Sequence, residues 1–326
     1  METRQLRYVV LLAETLHFGR AAELAYISQP AFSQQIARLE RELKTKLFDR
    51  SSNRVRVTPA GALLVERATR LLAELDATEE QVRGLAEGAA GSLRVGVFAD
   101  GAGEITPLML SPFQRRFPDV RLRFSELSMT TQLDALITGA VDVAILRPPI
   151  LDPGVELHAL FAEPRVAVLP RGHPLAAGKD VSVNDLVDEP FVTAAAGAPA
   201  GWGAFWCCDD DRGEPGRVVA DMRSVAEGLA GVAYLGAVDT CPGATARHYA
   251  HPGVRYVPLR DGAYASVAVA HRRGDARATV RAFCTLAVAV ARRHIAAVPR
   301  AVAPEAAPAG TPLPVRPARP RDRRLK

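Results

Sequence analysis

The stretch SQPAFSQQIARLERELKTKLFDR, residues 28–50, decides how the N-terminal part of the chain folds. Ser28 is a good helix N-cap, and Pro30 lies in the first turn, where its missing N–H costs no hydrogen bond. Apolar residues recur at helical spacing, which predicts one buried face: Phe32, Ile36, Leu39 and Leu43. The first two turns of the opposite side carry neutral amides and a hydroxyl, at Gln29, Ser33 and Gln34.

The segments around this helix predict a winged helix-turn-helix. Two short helices are expected at about 4–16 and 19–25, and residues 46–58, KLFDRSSNRVRVT, have the turn-prone centre of a two-stranded wing. In this motif the recognition helix enters the DNA major groove, where Gln pairs with adenine N6 and N7 and Ser adapts to a base or a phosphate. Residues 1–58 hold ten Lys and Arg against six Asp and Glu, a net charge of +4, which suits a polyanion.

Arginines further along the helix and on the wing suit phosphates or a narrow minor groove. The predicted DNA-binding residues are Ser28, Gln29, Pro30, Ser33, Gln34, Arg38, Arg50, Arg54, Arg56 and Thr58.

Residues 59–90 are predicted to form one long linker helix. Thr58 is its N-cap, Pro59 takes its first position, and Gly88 and Gly91 end it. A heptad seam runs along it: Leu64, Ala68, Leu71, Leu75, Thr78, Val82 and Leu85. Such a seam favours a partner helix, so this is a dimerisation helix or, alternatively, an amphipathic helix that lies on its own domain.

Residues 91–295 alternate strand-like and helical segments, which predicts an α/β domain with βαβ units. The order of elements fits two lobes, lobe I at about 91–161 and 268–295 and lobe II at about 162–267, joined by crossing strands near 160–168 and 258–268. A cleft between two lobes is a natural ligand site. The predicted fold class is therefore α/β, with an N-terminal all-α winged helix-turn-helix and a two-lobed C-terminal domain.

The remaining residues, 296–326, are rich in Pro, Ala and Arg and are expected to be a disordered tail. The segment 292–326 holds nine Lys and Arg against two Asp and Glu, a net charge of +7. Its charge could touch DNA without sequence preference, or it could be a solvated extension.

The sequence also resembles a known protein family. HFGRAAELAYISQPAFSQQIARLERELKTKLFDRSSNRVRVTPAG is similar to the N-terminal domain of LysR-type transcriptional regulators, with AA, SQPA, QI, LE, LF and the terminal T.AG at that family's spacing. GSLRVGV, FPDVRLRFSE, QLDALITGAVDVAILRPP and RSVAEGLAGVA continue the likeness over about residues 1–295.

The resemblance implies a DNA-binding regulator whose C-terminal half folds like a periplasmic binding protein. Its partners would be double-stranded DNA with inverted-repeat half-sites, a small-molecule effector, RNA polymerase and further copies of itself, as a dimer of dimers. It implies no cofactor. By position, the effector cleft should be lined by Ala99, Asp100, Gly101, Ser128, Met129, Arg147, Ala196, Pro199 and Trp202.

The residues after the first strand of the C-terminal domain depart from the family pattern. The family often has Ser or Thr after the first strand of this domain, where this chain has Ala99 and then Asp100. Arg147 could anchor an anionic effector, or it could be a surface arginine or one paired with an Asp. Asp100 equally suggests an amine-bearing or polar neutral ligand.

Other functions have less support in the sequence. The seven histidines (His17, His158, His173, His248, His251, His271 and His294) show no metal-ligand spacing, and no nucleotide-binding or nucleophile motif is present, so no enzyme and no metal site is expected. The alternatives are a winged-helix module that binds protein, or a redox-responsive regulator that uses Cys207, Cys208 and Cys241. The lack of a signal-like N-terminus or an apolar span predicts a cytoplasmic protein with no membrane partner.

Overall fold

The computed structural model describes residues 1–49, 55–86, 91–213 and 215–313; of residues 73, 74, 76, 77 and 79–86 it describes the backbone. The chain divides into two compact units. One consists of Met1–Gly88 with Thr138–Ala140, and the other of Ala89–Ile137 with Val141–Lys326. The predicted fold class is confirmed.

The first unit is a three-helix motif with a small wing and one long helix. Its elements are α1 (Thr3–Thr15), α2 (Phe18–Leu24), α3 (Gln29–Glu42), β1 (Phe48–Asp49), β2 (Arg56–Val57) and α4 (Pro59–Ala86). Phe32 and Ile36 of α3 are fully buried against Val9 and Leu12 of α1 and Ala21 of α2. The small alanine side chain lets α2 approach closely, so the three helices share one core.

The long helix α4 packs one side on its own unit. Ala68 is fully buried and Leu72 nearly so, in a cluster with Leu6 of α1. Leu71 and Leu75, two positions of the predicted heptad seam, remain 53% and 38% exposed. One side of α4 thus lies on its own domain, as the alternative interpretation expected, while the apolar strip with Leu71 and Leu75 is exposed. The side chains of Val82 and Leu85 lie outside the description.

The second unit is built on a five-stranded sheet in the order β4, β3, β5, β12, β6. The three strands β3, β4 and β5 are parallel, whereas β12 runs antiparallel to both β5 and β6. This lobe contains β3 (Ser92–Phe98), α5 (Thr106–Arg116), β4 (Arg121–Leu127), α6 (Asp134–Ile137), β5 (Val143–Leu146), β6 (Val155–Glu163), β12 (Ala265–Arg272) and α11 (Ala278–His294). Phe113 of α5 and Phe283 of α11 meet edge to face in its core, with ring centroids 5.2 Å apart.

A second lobe holds two smaller sheets. One is antiparallel in the order β10, β7, β11, and the other pairs β8 with β9 in parallel. Its elements are β7 (Arg165–Pro170), β8 (Pro190–Ala194), α7 (Trp202–Trp206), α8 (Asp209–Arg212), β9 (Arg217–Met222), α9 (Val225–Leu235), β10 (Asp239–Pro242), α10 (Gly243–His248) and β11 (Val254–Pro258). The chain passes between lobes from β6 to β7 and from β11 to β12.

The tail differs from its expected disorder over residues 298–313. Val302 forms an antiparallel bridge with Ala162, and Val298 is 2% exposed. The Ser266 hydroxyl donates to the carbonyl of Pro312. Ala and Val side chains in this stretch reach the exposed edge of the first lobe. The stretch therefore packs against the domain, which its composition does not predict. Residues 314–326 lie outside the description.

Within the part of the chain that the structure describes, every helix is too short or too polar to cross a membrane.

Candidate functional site

The first candidate surface is the outer side of α3. Ser28 caps the helix, because its hydroxyl accepts a hydrogen bond from the Ala31 N–H at 3.4 Å. Gln29 and Gln34 are exposed and Ser33 is half-buried. Since Phe32 and Ile36 hold the opposite side in the core, the helix presents neutral hydrogen-bonding groups outward over its first two turns.

A buried carboxylate joins α3 to the wing. Glu40 is 3% exposed and accepts hydrogen bonds from the N–H groups of Leu47 and Phe48 at 2.9 and 3.2 Å. Lys46 Nζ lies 3.2 Å from the same carboxylate. The start of the wing is therefore held in a set place relative to the recognition helix.

Thr58 caps α4, as its predicted N-cap position requires, because its hydroxyl accepts from the Gly61 N–H at 3.0 Å. The same hydroxyl donates to the Lys46 carbonyl at 2.7 Å and so ties the helix to the wing. Gly61 is needed there, because a Cβ would lie 2.1 Å from the Leu47 carbonyl oxygen.

The structure describes two of the four arginines that are predicted to contact DNA, Arg38 and Arg56. Arg56 on β2 is exposed, as a phosphate contact must be. Arg38 is also exposed, and its guanidinium lies 3.7 Å from the Glu2 carboxylate in a solvated pair that DNA could replace. Arg50 and Arg54 lie outside the described residues.

The second candidate site is a cavity between the lobes of the second unit. Its walls are mainly apolar and include Phe98 and Met129 from one lobe and Trp202, Trp206 and Met222 from the other. The Phe98 and Trp202 rings meet edge to face at 5.6 Å. Such walls suit a compact ligand with an apolar or aromatic body.

Arg147 closes one end of the cavity and is already neutralised. Its two terminal nitrogens bind Glu163 at 2.8 Å and Asp100 at 2.9 Å, and all three side chains are at most 1% exposed. Burial opposes the charge of Arg147, but the neighbouring Asp100 and Glu163 carboxylates raise its pKa above the ordinary value. Of the two interpretations of Arg147 in the sequence, the structure has the Asp-paired one, with a glutamate added.

Glu163 links this group to the second lobe. Its other oxygen accepts from the Ala244 N–H at 2.8 Å and lies 3.2 Å from Arg247, which in turn pairs with Glu104 at 2.6 Å. Two arginines thus face three carboxylates in this group, and its net charge is negative.

Asp239 adds a further acid to the cavity wall. It is 8% exposed, and among the described residues the Thr240 N–H, at 2.8 Å, is the donor that reaches it. Burial raises the pKa of this carboxyl well above its ordinary value, against the effects of that N–H and the Arg165 charge. The cavity therefore offers an under-partnered carboxyl group to a ligand.

The structure brings together five of the nine predicted effector residues. Ala99, Asp100, Met129, Arg147 and Trp202 line the cavity. Ser128 lies in an adjoining hollow that shares Phe98 and Ala99 with it.

The other three predicted effector residues do not line the cavity. Gly101 is buried in a turn with φ of 58°, where a Cβ would lie 2.8 Å from Val97, so it shapes the strand end. Ala196 is exposed and Pro199 buried. They belong to the loop before α7, and that loop places Trp202 rather than touching the cavity itself.

Several cavity residues were missed by sequence reasoning. Asp239 is the first residue of β10, and Trp206 follows Trp202 by one helical turn. The i to i+4 spacing of the two tryptophans was the one signal that could have identified Trp206.

The cysteines give the redox alternative little support. All four are free and buried. Burial raises the pKa of the Cys207 thiol to about 12 and raises the pKa values of Cys208 and Cys241 as well. Because the thiolate is the reactive form, these groups are poorly suited to sense an oxidant.

Comparison with known proteins identifies both units. Residues 3–62 match the family described as "Bacterial regulatory helix-turn-helix protein, lysR family", and residues 86–292 match the "LysR substrate binding domain". The chain is 34% identical over 294 residues to the HTH-type transcriptional regulator BudR of Raoultella terrigena, covering 87% of this chain and 99% of BudR. It is 33% identical over 195 residues to the HTH-type transcriptional regulator AlsR of Bacillus subtilis, covering 60% of this chain and 65% of AlsR.

Solved structures agree with the fold. Full-length BenM is similar with a TM-score of 0.52 and 27% identity, over 91% of this chain and 97% of that one. CbnR, a LysR family transcriptional regulator, has a TM-score of 0.64 and 22% identity over 89% of this chain and 99% of its own, a likeness of fold.

Proposed function

Since the chain belongs to the LysR family of bacterial DNA-binding transcriptional regulators, we propose that it reads an operator through α3 and changes that reading when a small organic cation occupies the interlobe cavity. The chain spans 65% of the length of AlsR, and BudR is matched over 99%.

The exposed amide face of α3 carries the DNA-reading part of the proposal. A solvated helix surface gains little from Gln over Glu or Lys, whereas Gln29 and Gln34 can donate to and accept from one base edge at once. Arg56, on the adjacent wing, supplies a sequence-independent phosphate contact.

The proposed assembly is a dimer of dimers that binds inverted-repeat half-sites and acts on RNA polymerase in the cytoplasm. Support comes from α4, whose Leu63, Leu71 and Leu75 are 57%, 53% and 38% exposed. Apolar side chains in such a strip are costly in water and favour a second helix. Two copies related by a twofold axis would present two α3 helices to DNA.

A paired substitution tests DNA reading. The operator is first selected from fragmented genomic DNA with the purified full chain. Gln29→Ala should then weaken binding to that operator by about 1–3 kcal/mol and leave scrambled DNA unaffected, whereas Arg56→Ala should weaken both and lower the salt dependence. If neither variant changed operator affinity, the protein-binding alternative would replace this proposal.

The effector class follows from the charge of the cavity. An incoming carboxylate would meet Arg147 with both terminal nitrogens already occupied by Glu163 and Asp100. A protonated amine instead finds the Asp239 carboxyl, a net negative group behind it, and the faces of Trp202 and Trp206, which attract cations.

Three matched compounds test the effector class by calorimetric titration of the full chain: benzylamine, benzyl alcohol and benzoate. The amine should bind most tightly and benzoate least. Asp239→Asn should remove the preference for the amine, and Asp221→Asn, an exposed position on β9, should retain it. Preferential binding of benzoate would overturn the assignment.

A further inference from the structure

Two histidines and a cysteine come together in the first lobe of the second unit, away from the cavity between its lobes. They are His158 on β6, His271 on β12 and Cys284 on α11. One potential ligand atom from each lies within 4.8 Å of the other two. The sequence shows no metal-ligand spacing here because His158 and His271 are 113 residues apart.

The strand register explains the cluster. His271 lies opposite Glu156 in the antiparallel pair of β12 with β6, and Val269 lies opposite His158. Residues two apart on a strand share a face, so Glu156, His158 and His271 project from the same face of the sheet. Val269 and Cys284 belong to one buried cluster, which identifies this as the face that α11 covers.

The distances agree with a tetrahedral metal site. The Nε2 atoms of His158 and His271 are 3.2 Å apart. Two nitrogens bound at about 2.05 Å to a tetrahedral zinc ion would be separated by about 3.3 Å. Glu156 Oε1 lies 3.8 Å from His158 Nε2 but outside the set of ligand atoms that lie within 4.8 Å of one another, so its side chain must turn to complete a fourth position.

The protonation pattern also suits ligation. The Nδ1 of His271 lies 2.8 Å from the carbonyl oxygen of Arg272, and a carbonyl can only accept, so Nδ1 carries the proton. Nε2, the atom that faces the cluster, is left with a lone pair. Histidines that bind a metal usually donate their other ring N–H to a carbonyl or a carboxylate in the same way.

We propose that this cluster is a zinc site, with His158 Nε2, His271 Nε2 and Cys284 Sγ as ligands and Glu156 as the fourth. Two imidazoles, one thiolate and one carboxylate form the donor set that zinc and its analogue cobalt(II) take in tetrahedral geometry. Asp275 and Arg281 also face the groove that leads to the cluster. Their charges offset each other, and the groove gives the ion an entry path.

Zinc binding to this cluster releases one proton. A cysteine binds zinc as the thiolate, so the Cys284 thiol must give up its proton. Zinc binding must form an S–Zn bond and release that one proton to the buffer, and the neutral imidazoles release none.

The test uses the full chain without a polyhistidine tag, stripped with a chelator and titrated with cobalt(II) and then zinc. We expect one equivalent of tightly bound metal, a thiolate-to-cobalt charge-transfer absorption, intense tetrahedral cobalt bands that zinc abolishes, and release of one proton per zinc. Cys284→Ser should lose the charge-transfer absorption, and His158→Gln should weaken zinc binding at least tenfold.

His294→Gln, at the far end of α11, is the matched control and should bind as the unaltered chain does. Octahedral cobalt bands without charge transfer in the unaltered chain would overturn the proposal even if a variant failed to fold. Unchanged zinc affinity in folded His158→Gln would overturn it as well.

Discussion

Replacing Arg147 by Met should destabilise the second unit far more than the same change at a surface arginine. Arg147 is 1% exposed and holds two carboxylates, Asp100 and Glu163, that are equally buried. The methionine keeps the stem of the side chain but removes the cation that the two acids share. Removing one partner from a buried ion pair costs about 3–5 kcal/mol. Since Glu163 keeps the Ala244 N–H and Arg247, we expect the lower end of that range.

Arg260→Met is the matched control. Arg260 also forms a short ion pair, 2.6 Å from Asp180, but the two side chains are 55% and 44% exposed. Solvent screening limits such a pair to about 0–1 kcal/mol.

Urea unfolding followed by tryptophan fluorescence measures the difference selectively. The chain has two tryptophans, Trp202 and Trp206, both in the second unit, and the Trp202 indole N–H donates to the Arg147 carbonyl at 2.8 Å. A loss for Arg147→Met no larger than that for Arg260→Met would refute the assignment of a buried, charge-balanced group.

Three other substitutions or treatments have definite expected outcomes. Gly61→Ala should destabilise the DNA-binding unit by about 2 kcal/mol or more in far-UV circular dichroism melts, because the new methyl would collide with the Leu47 carbonyl at 2.1 Å; an unchanged melt would contradict this. Burial opposes ionisation of Asp142, but hydrogen bonds from Arg94 lower its pKa below the ordinary value. The stability that the ionised Asp142 gives to the folded chain is therefore complete above about pH 4 and is lost as the pH falls through the lowered pKa. Asp142→Asn should therefore unfold in less urea at pH 7, with the deficit shrinking below about pH 4; a deficit independent of pH would argue against the ion pair. Iodoacetamide at pH 8 should leave the four buried cysteines of the native chain unmodified and should modify all four in urea. Mass spectrometry counts the modified cysteines, and fast labelling of the native chain would support the redox alternative.

Local patterns predicted most of the architecture. The cap at Ser28, the apolar spacing of α3 and the alternation after residue 91 depend on neighbours in sequence, and the structure has these elements where the patterns indicate. The exposure of Gln29 and Gln34 follows from helical periodicity in the same way.

Features that depend on distant neighbours could not be predicted in this way. Whether Arg147 binds an anion or is already paired depends on Glu163, on another strand, and on Asp100, 47 residues away. The same holds for His158 and His271, which only the register of β6 and β12 brings together. The tail to residue 313 packs through Val298 and a bridge at Val302, although its composition resembles that of a solvated linker.

The most direct test of the proposed function is the ratio of dissociation constants for the selected operator and a scrambled duplex of the same length, measured with the unaltered chain at physiological salt. A recognition helix that reads base edges through Gln29, Ser33 and Gln34 predicts a preference of about 10³-fold or more for the operator. Equal affinities, with a steep salt dependence for both duplexes, would mean that the chain binds phosphates alone and would contradict sequence reading by α3.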